Sequence, residues 1–257
     1  MIDLPEHVST RHATVLHRLA TNLAREHGDT LVGIVLSGSA GRGMATERSD
    51  VDVYAVLDGV PAAERPTTRS AEVDLVTTTL TELEAPAPYG TGAWFFRWSF
   101  AWAPVLLDRT GGRLTEALYR LATLTAEEAH DVLVEHDRLD GWLNYAYRAL
   151  KNDRDGRELE RRLDAAESLP WLLDVVWALA GRVRPYHKYL PWELRQHPLP
   201  DWPADVLLPL LTRTLDGDPA AVRETFARVE RLTRDHPCLK EVVNGWGGGL
   251  ALLRRTP

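Results

Sequence analysis

The stretch that most constrains this chain runs from Leu36 to Leu57, LSGSAGRGMATERSDVDVYAVL. A short apolar, β-branched run, Leu31 to Leu36, leads into it and reads as a buried strand. A Gly/Ser loop follows, and Val51 to Leu57 then reads as a second strand, closed by the turn Asp58-Gly59. Residues two apart on a strand point to the same face, so Asp50 and Asp52 are forced together. Two carboxylates at that spacing repel unless a cation lies between them. Hard oxygen ligands favour Mg²⁺, which keeps substrate phosphates among its ligands. A solvated acidic edge strand is the bland alternative, and apolar Val51, Val53 and Val56 argue against it.

The loop before the aspartates supplies a phosphate end. Gly38 and Ser39 directly follow a strand, and Gly41 and Gly43 come soon after. Glycine lets backbone N–H groups approach an anion closely, and Ser39 adds a hydroxyl. A helix beginning near Ala40 would place its N-terminus toward a triphosphate. Arg42 and Ser49 are further candidate nucleotide contacts, with ordinary surface positions as the alternative. Ala71 to Thr79 reads as a third strand after a polar loop over 61–70. On it Glu72 and Asp74 share a face. Asp74, flanked by Val73, Leu75 and Val76, ranks first as general base or metal ligand and Glu72 second, with Glu72 also a candidate substrate contact.

The remaining chain changes texture after Thr125. Pro104 to Leu107 suits a fourth strand and 114–121 a helix. Beyond it, 127–151 and 157–182 have helical periodicity, and further helices are expected near 204–215, 219–234 and 239–253. The expected fold is therefore α+β, with a small mixed-sheet domain over 1–122 and an all-α helical-bundle domain over 123–257. Trp94, Trp98 and Trp102 recur every four residues, which predicts one shared helix face. Core packing is the first reading for them, and Trp98 as a substrate platform the second.

Gly38-Ser39 with Gly43, Ser49-Asp50-Val51-Asp52 and a later strand carboxylate together resemble the polymerase-β-type nucleotidyltransferase superfamily, over roughly residues 31 to 79. A small α/β head before a helical tail looks most like its aminoglycoside and lincosamide nucleotidyltransferases. The resemblance implies that Gly38 and Ser39 hold phosphates and that Asp50 and Asp52 hold Mg²⁺. It implies that Asp74 activates an acceptor hydroxyl and joins the metal ligands. The co-substrate would be a nucleoside triphosphate, with ATP expected, and the acceptor a hydroxyl of a small molecule. Such enzymes often draw a lysine from the helical domain to the leaving phosphates. Lys188 suits that role, with Tyr189 near the base or ribose. Glu167 and Asp174, one to two turns apart on a helix, are candidates for a cationic acceptor. The rival readings are nucleotidylation of a protein or RNA end, as in toxin–antitoxin members, and a nucleotide-binding module without turnover.

Composition trims the options. The formal net charge of −7 argues against extended nucleic-acid binding. The one cysteine, Cys238, excludes a disulfide framework. No secretory leader or membrane-length apolar run is evident, so a cytoplasmic protein, monomer or homodimer, is the expectation.

Overall fold

The computed structural model describes residues 2–61 and 67–255, and the chain divides into two compact units, Met1–Thr123 and Leu124–Pro257. The architecture is α+β: a mixed-sheet unit followed by a helical one.

In the first unit, helix α1 (Thr10–His27) starts at Ser9, whose hydroxyl accepts the His12 N–H, and stops at Gly28, where φ is 52°. The sheet comprises β1 (Leu31–Leu36), β2 (Val51–Leu57), β3 (Thr68–Arg69), β4 (Val73–Thr78) and β5 (Val105–Asp108). Its order is β3-β4-β2-β1-β5, with β2 and β4 parallel and the other neighbours antiparallel. Strand alternation then sorts the core into two layers. Val51, Val53, Ala55 and Leu57 pack with Val15, Leu16 and Leu23 of α1 on one face. On the other, Val35 and Val56 meet Leu80 and Leu83 of helix α3 (Leu80–Glu84), Phe100 of α4 (Arg97–Phe100), and Leu114, Leu118 and Leu121 of α5 (Arg113–Ala122). A Cβ on Gly33 would come within 2.4 Å of the Leu114 side chain, so glycine is what lets α5 lie this close to β1.

Two local expectations shift. The third strand starts at Val73 rather than Ala71, because Ser70 closes a turn in which its N–H and hydroxyl both bond the Val73 carbonyl. The loop expected over 61–70 holds the two-residue strand β3, while its residues 62–66 lie outside the described residues. Trp94, Trp98 and Trp102 do not share one helix. A 3₁₀ turn over Trp94–Phe96 leads into α4, and the chain leaves helical geometry at Ala101, with Trp102 at φ 59°.

A buried arginine holds this region together. Arg97, 1% exposed, donates to the carbonyls of Arg120, Leu121 and Thr123, and its guanidinium stacks on Trp94 at 4.6 Å. Those carbonyls end α5, where no intrahelical donor is left and the helix dipole favours a cation.

The second unit holds α6 (Ala126–His130), α7 (Arg138–Arg154), α8 (Glu158–Leu179), α9 (Leu190–Gln196), α10 (Ala204–Leu215), α11 (Pro219–Thr233), α12 (Pro237–Gly245) and α13 (Leu250–Leu253). The helix expected over 127–151 is broken, because a π-helical turn over Asp131–Glu135 and left-handed Asp137 separate α6 from α7. The glycine run Gly247–Gly249 likewise splits the helix expected over 239–253. Helices α7 and α8 approach closely at Gly141, where a Cβ would meet the Trp171 ring at 2.3 Å. Trp142, Trp177 and Trp202 are each no more than 2% exposed and belong to the core of this unit. Among the described residues no helix is long and apolar enough to cross a membrane.

One buried ion pair stands out in this unit. Arg182 donates to Glu193, whose side chain is 1% exposed, and to the His197 carbonyl at 2.7 Å. Removing one partner of a buried pair strands the other charge without solvent. Glu193→Ala should therefore lower unfolding stability by about 3–5 kcal/mol in urea titrations, whereas Arg162→Ala, whose pair with Glu158 is exposed, should cost at most about 0.5 kcal/mol.

Candidate active site

The Gly/Ser stretch forms one helical turn, α2 (Gly38–Gly41), directly after β1. It is narrower than a phosphate-binding helix, yet its first N–H groups, those of Gly38, Ser39 and Ala40, have no intrahelical acceptor. The turn is seated on β2: the Ser37 N–H bonds the Asp52 carbonyl at 2.8 Å. Gly38 has φ 58°, and a Cβ placed on it would stand 1.6 Å from Asp52 Oδ2. Only glycine satisfies both the conformation and the contact. Gly41 is equally tight, since a Cβ there would lie 2.3 Å from the Leu36 carbonyl.

Asp52 lies on β2 with Tyr54 and Val56, on the face covered by α3, α4 and α5. The parallel register pairs Asp52 with Asp74 on β4, so the two residues stand side by side on one face, about 5 Å apart along the sheet. Both are half-buried. Asp74 also meets Arg69 at 3.4 Å, but Arg69 is 84% exposed, so this pair is solvent-screened and weak. Asp50 stands just before β2, where the Val51 N–H bonds the Glu72 carbonyl at 2.9 Å. Among the described residues, no group of three or more acidic, histidine or cysteine side chains is assembled as a metal cage. The expected three-ligand metal set, Asp50, Asp52 and Asp74, is thus not formed as a ready cluster.

Several other candidates have different placements. Glu72 lies outside β4 and pairs with Arg18 of α1 at 2.9 Å. The period-two argument that set it beside Asp74 fails because residue 72 belongs to the turn. Arg42 is 4% exposed and donates to the carbonyls of Gly38, Trp98, Ser99 and Ala101 at 2.8–3.2 Å. Its guanidinium lies 4.2 Å from the Trp98 ring centroid. Arg42 therefore clamps α2 to the end of α4 instead of presenting a phosphate ligand. Trp98, 1% exposed, is core beneath that guanidinium and is no substrate platform. Ser49 closes a turn with Thr46, whose N–H its hydroxyl accepts at 2.9 Å. Ser39 is 3% exposed, so its hydroxyl sits beneath the surface of the turn.

The remaining candidates belong to the second unit. Asp174 is flanked by Arg138 at 3.7 Å and Arg184 at 3.4 Å, which neutralise it within the helical core. A cationic acceptor would have to displace one of them. Glu167 is exposed on α8. Lys188 is exposed in a 3₁₀ turn with its ammonium 5.1 Å from the Tyr189 ring, and Tyr189 itself is 7% exposed and packs among its neighbours.

Sequence reasoning missed the residues that hold this geometry. Ser37 donates to the Ser99 carbonyl at 2.6 Å. Ser99 donates to the Phe96 carbonyl at 2.6 Å, which leaves its oxygen to accept from the Tyr54 hydroxyl at 2.9 Å. Burial raises the Tyr54 pKa above its ordinary value, and the nearby Asp52 and Asp74 carboxylates push it the same way. From the other side, the N-terminal segment pins the loop that carries the aspartates. His7 Nε2 bonds the Ala40 carbonyl at 3.1 Å, Arg11 donates to the Glu47 carbonyl, and His12 Nε2 bonds the Ser49 carbonyl at 3.1 Å. Of these, only Tyr54 carried a sequence signal, two residues beyond Asp52 on the same strand face.

No protein-family model matches the chain, and no curated protein matches it. Among solved structures, a nucleotidyltransferase-like protein from Exiguobacterium sibiricum 255-15 aligns over 91% of this chain and 78% of its own, at 16% identity and a TM-score of 0.38. A likeness that slight carries no weight for function, which rests on the site.

Gly38→Ala tests the contact at its centre. The positive φ alone should cost about 1–3 kcal/mol of stability. The added methyl should also displace the Asp52 carboxylate, read as a changed Asp52 side-chain carboxyl resonance by NMR. Gly59→Ala, at φ 68° but with open space around it, should cost only the conformational part.

Proposed function

We propose that the first unit catalyses metal-dependent nucleotidyl transfer, moving a nucleoside monophosphate from a nucleoside triphosphate, ATP by expectation, onto a hydroxyl of a small molecule. The observation that carries this reading is the contact of a glycine turn with one member of a carboxylate pair. Gly38 is pressed against Asp52, and Asp52 is in register with Asp74. A turn whose first N–H groups lack an intrahelical acceptor suits phosphate oxygens, and paired carboxylates suit a hard divalent cation.

The donor set fits Mg²⁺ in particular. That ion is usually bound through one or two carboxylates and completes its shell with water and substrate phosphates, so a three-ligand protein cage is not required. Asp52 and Asp50 would hold it. When bound, it supplies charge neutralisation on the phosphates of the substrate. The α2 turn would orient the triphosphate through its amide N–H groups. Asp74 would take the proton of the acceptor hydroxyl as that oxygen bonds to the α-phosphorus. The bond from the α-phosphorus to the bridging oxygen breaks, and pyrophosphate leaves.

Net charge bears on the acceptor class. A chain of net charge −7 attracts a cationic, polyhydroxylated compound of the aminoglycoside type more readily than a polynucleotide. Glu72 and Asp174 are tied to arginines, so acceptor contacts must come largely from other groups.

Pyrophosphate release should be measured with each nucleoside triphosphate, Mg²⁺, and a panel of aminoglycosides, lincosamides and simple polyols. Asp50→Asn and Asp52→Asn should each lower turnover at least about a thousandfold without loss of folded structure by circular dichroism. Normal turnover in Asp52→Asn would refute the mechanism. Nucleotide binding without pyrophosphate release across the panel would favour a binding module.

A further inference from the structure

The chain is acidic, with 37 Asp and Glu against 30 Lys and Arg, and it holds only three lysines, Lys151, Lys188 and Lys240. One of those lysines lines a hollow in the helical unit where the local balance is reversed. The hollow has a volume of about 320 Å³, and its charged lining is Arg234, Lys240 and Arg254 against Glu230 alone. The three cations come from three places: Arg234 at the end of α11, Lys240 on α12, and Arg254 just after α13. Arg254 already holds Glu230, with its Nε 2.9 Å from Oε1. Arg234 and Lys240 form no ion pair among the described residues.

The hollow is a built feature. Buried Val243 and Thr233, 3% and 1% exposed, contribute to its lining. The Thr233 hydroxyl donates to the Glu230 carbonyl at 3.1 Å, and Arg223 of α11 reaches the Leu252 carbonyl of α13 at 3.4 Å. Helices α11 and α13 are therefore tied to each other. Asn244 adds an amide to the same lining. Like charges gathered in a concave space raise one another's energy, and an anion entering that space relieves it.

We infer that this hollow binds a small, multiply charged phosphate anion, either free pyrophosphate or the polyphosphate tail of a nucleotide. Arg234 offers a planar fork of N–H donors that matches phosphate oxygens in pairs. Lys240 offers a compact charge, and Asn244 an uncharged donor. The volume lies at the small end of ligand pockets, which excludes an extended polymer as the enclosed ligand. None of the residues lining the hollow is assigned to nucleotidyl transfer.

The test is calorimetric titration of the full chain carrying Asp52→Asn, with EDTA present, so that metal-dependent binding in the first unit does not contribute. Inorganic pyrophosphate and ATP form the two arms. One site per chain is expected, weakened roughly tenfold or more by Arg234→Glu with Lys240→Glu. Equal affinity for the two ligands identifies free pyrophosphate as sufficient, and tighter ATP binding identifies a nucleotide. Lys240→Gln alone, at an exposed position, should weaken binding severalfold and keeps the test decisive if the double variant does not fold. No heat of binding up to about 1 mM ligand, or binding that survives the charge substitutions, overturns the proposal.

Discussion

The first unit depends on a cation held out of water. Arg42 sits beneath the glycine turn with its guanidinium shared among the carbonyls of Gly38, Trp98, Ser99 and Ala101. A charge so deeply buried is tolerated because both terminal amino groups of the guanidinium are hydrogen-bonded, and each charge-assisted bond contributes about 1.5–3 kcal/mol. Three of those carbonyls lie at the end of α4, where a helix presents its partial negative charge. The turn and the wall formed by α4 are thereby made one piece. Ser37 and Tyr54 add two further ties to Ser99 from β1's exit and from β2.

With the turn fixed, the carboxylates follow. Gly38 can touch the Asp52 carboxylate only because it lacks a Cβ, and the parallel pairing of β2 with β4 then brings Asp74 alongside. The loop between the turn and the aspartates is held by side chains from outside it. Arg11 and His12 each bond one of its carbonyls, and His7 bonds the Ala40 carbonyl of the turn itself. The site is thus rigid on both sides: a buried arginine below and an N-terminal brace beside it. In the proposed reaction, pre-organisation of this kind would let a few polar groups orient a flexible triphosphate.

The helical unit distributes charge in another way. Its acidic residues near the core, Glu193 and Asp174, are answered by arginines. Its tryptophans fill the interior, and Arg138 stacks on Trp171 at the same place where Gly141 admits that ring. Against that balanced background, the cations around Lys240 are an excess, since only Arg254 among them pairs with the one acid of the hollow, Glu230.

The sequence by itself determined the elements and the chemistry available to them. Apolar patterning set β1, β2, β4 and β5 and the helices, and the strand positions of Asp52 and Asp74 were legible because strand spacing of two is a local rule, whereas Asp50 falls one residue before β2. Gly38 was legible as a turn glycine for the same reason. What failed were inferences that needed a boundary or a distant partner. Glu72 fell one residue outside its strand and turned to Arg18. Trp98 was placed on a continuous helix face that ends at Ala101. Arg42 looked like a phosphate ligand because its partners lie some 56 to 59 residues away, on carbonyls that carry no sequence signature. Tertiary structure alone decided these points, since burial and hydrogen bonding depend on which segments meet. Side-chain periodicity reports only on a residue's own strand or helix.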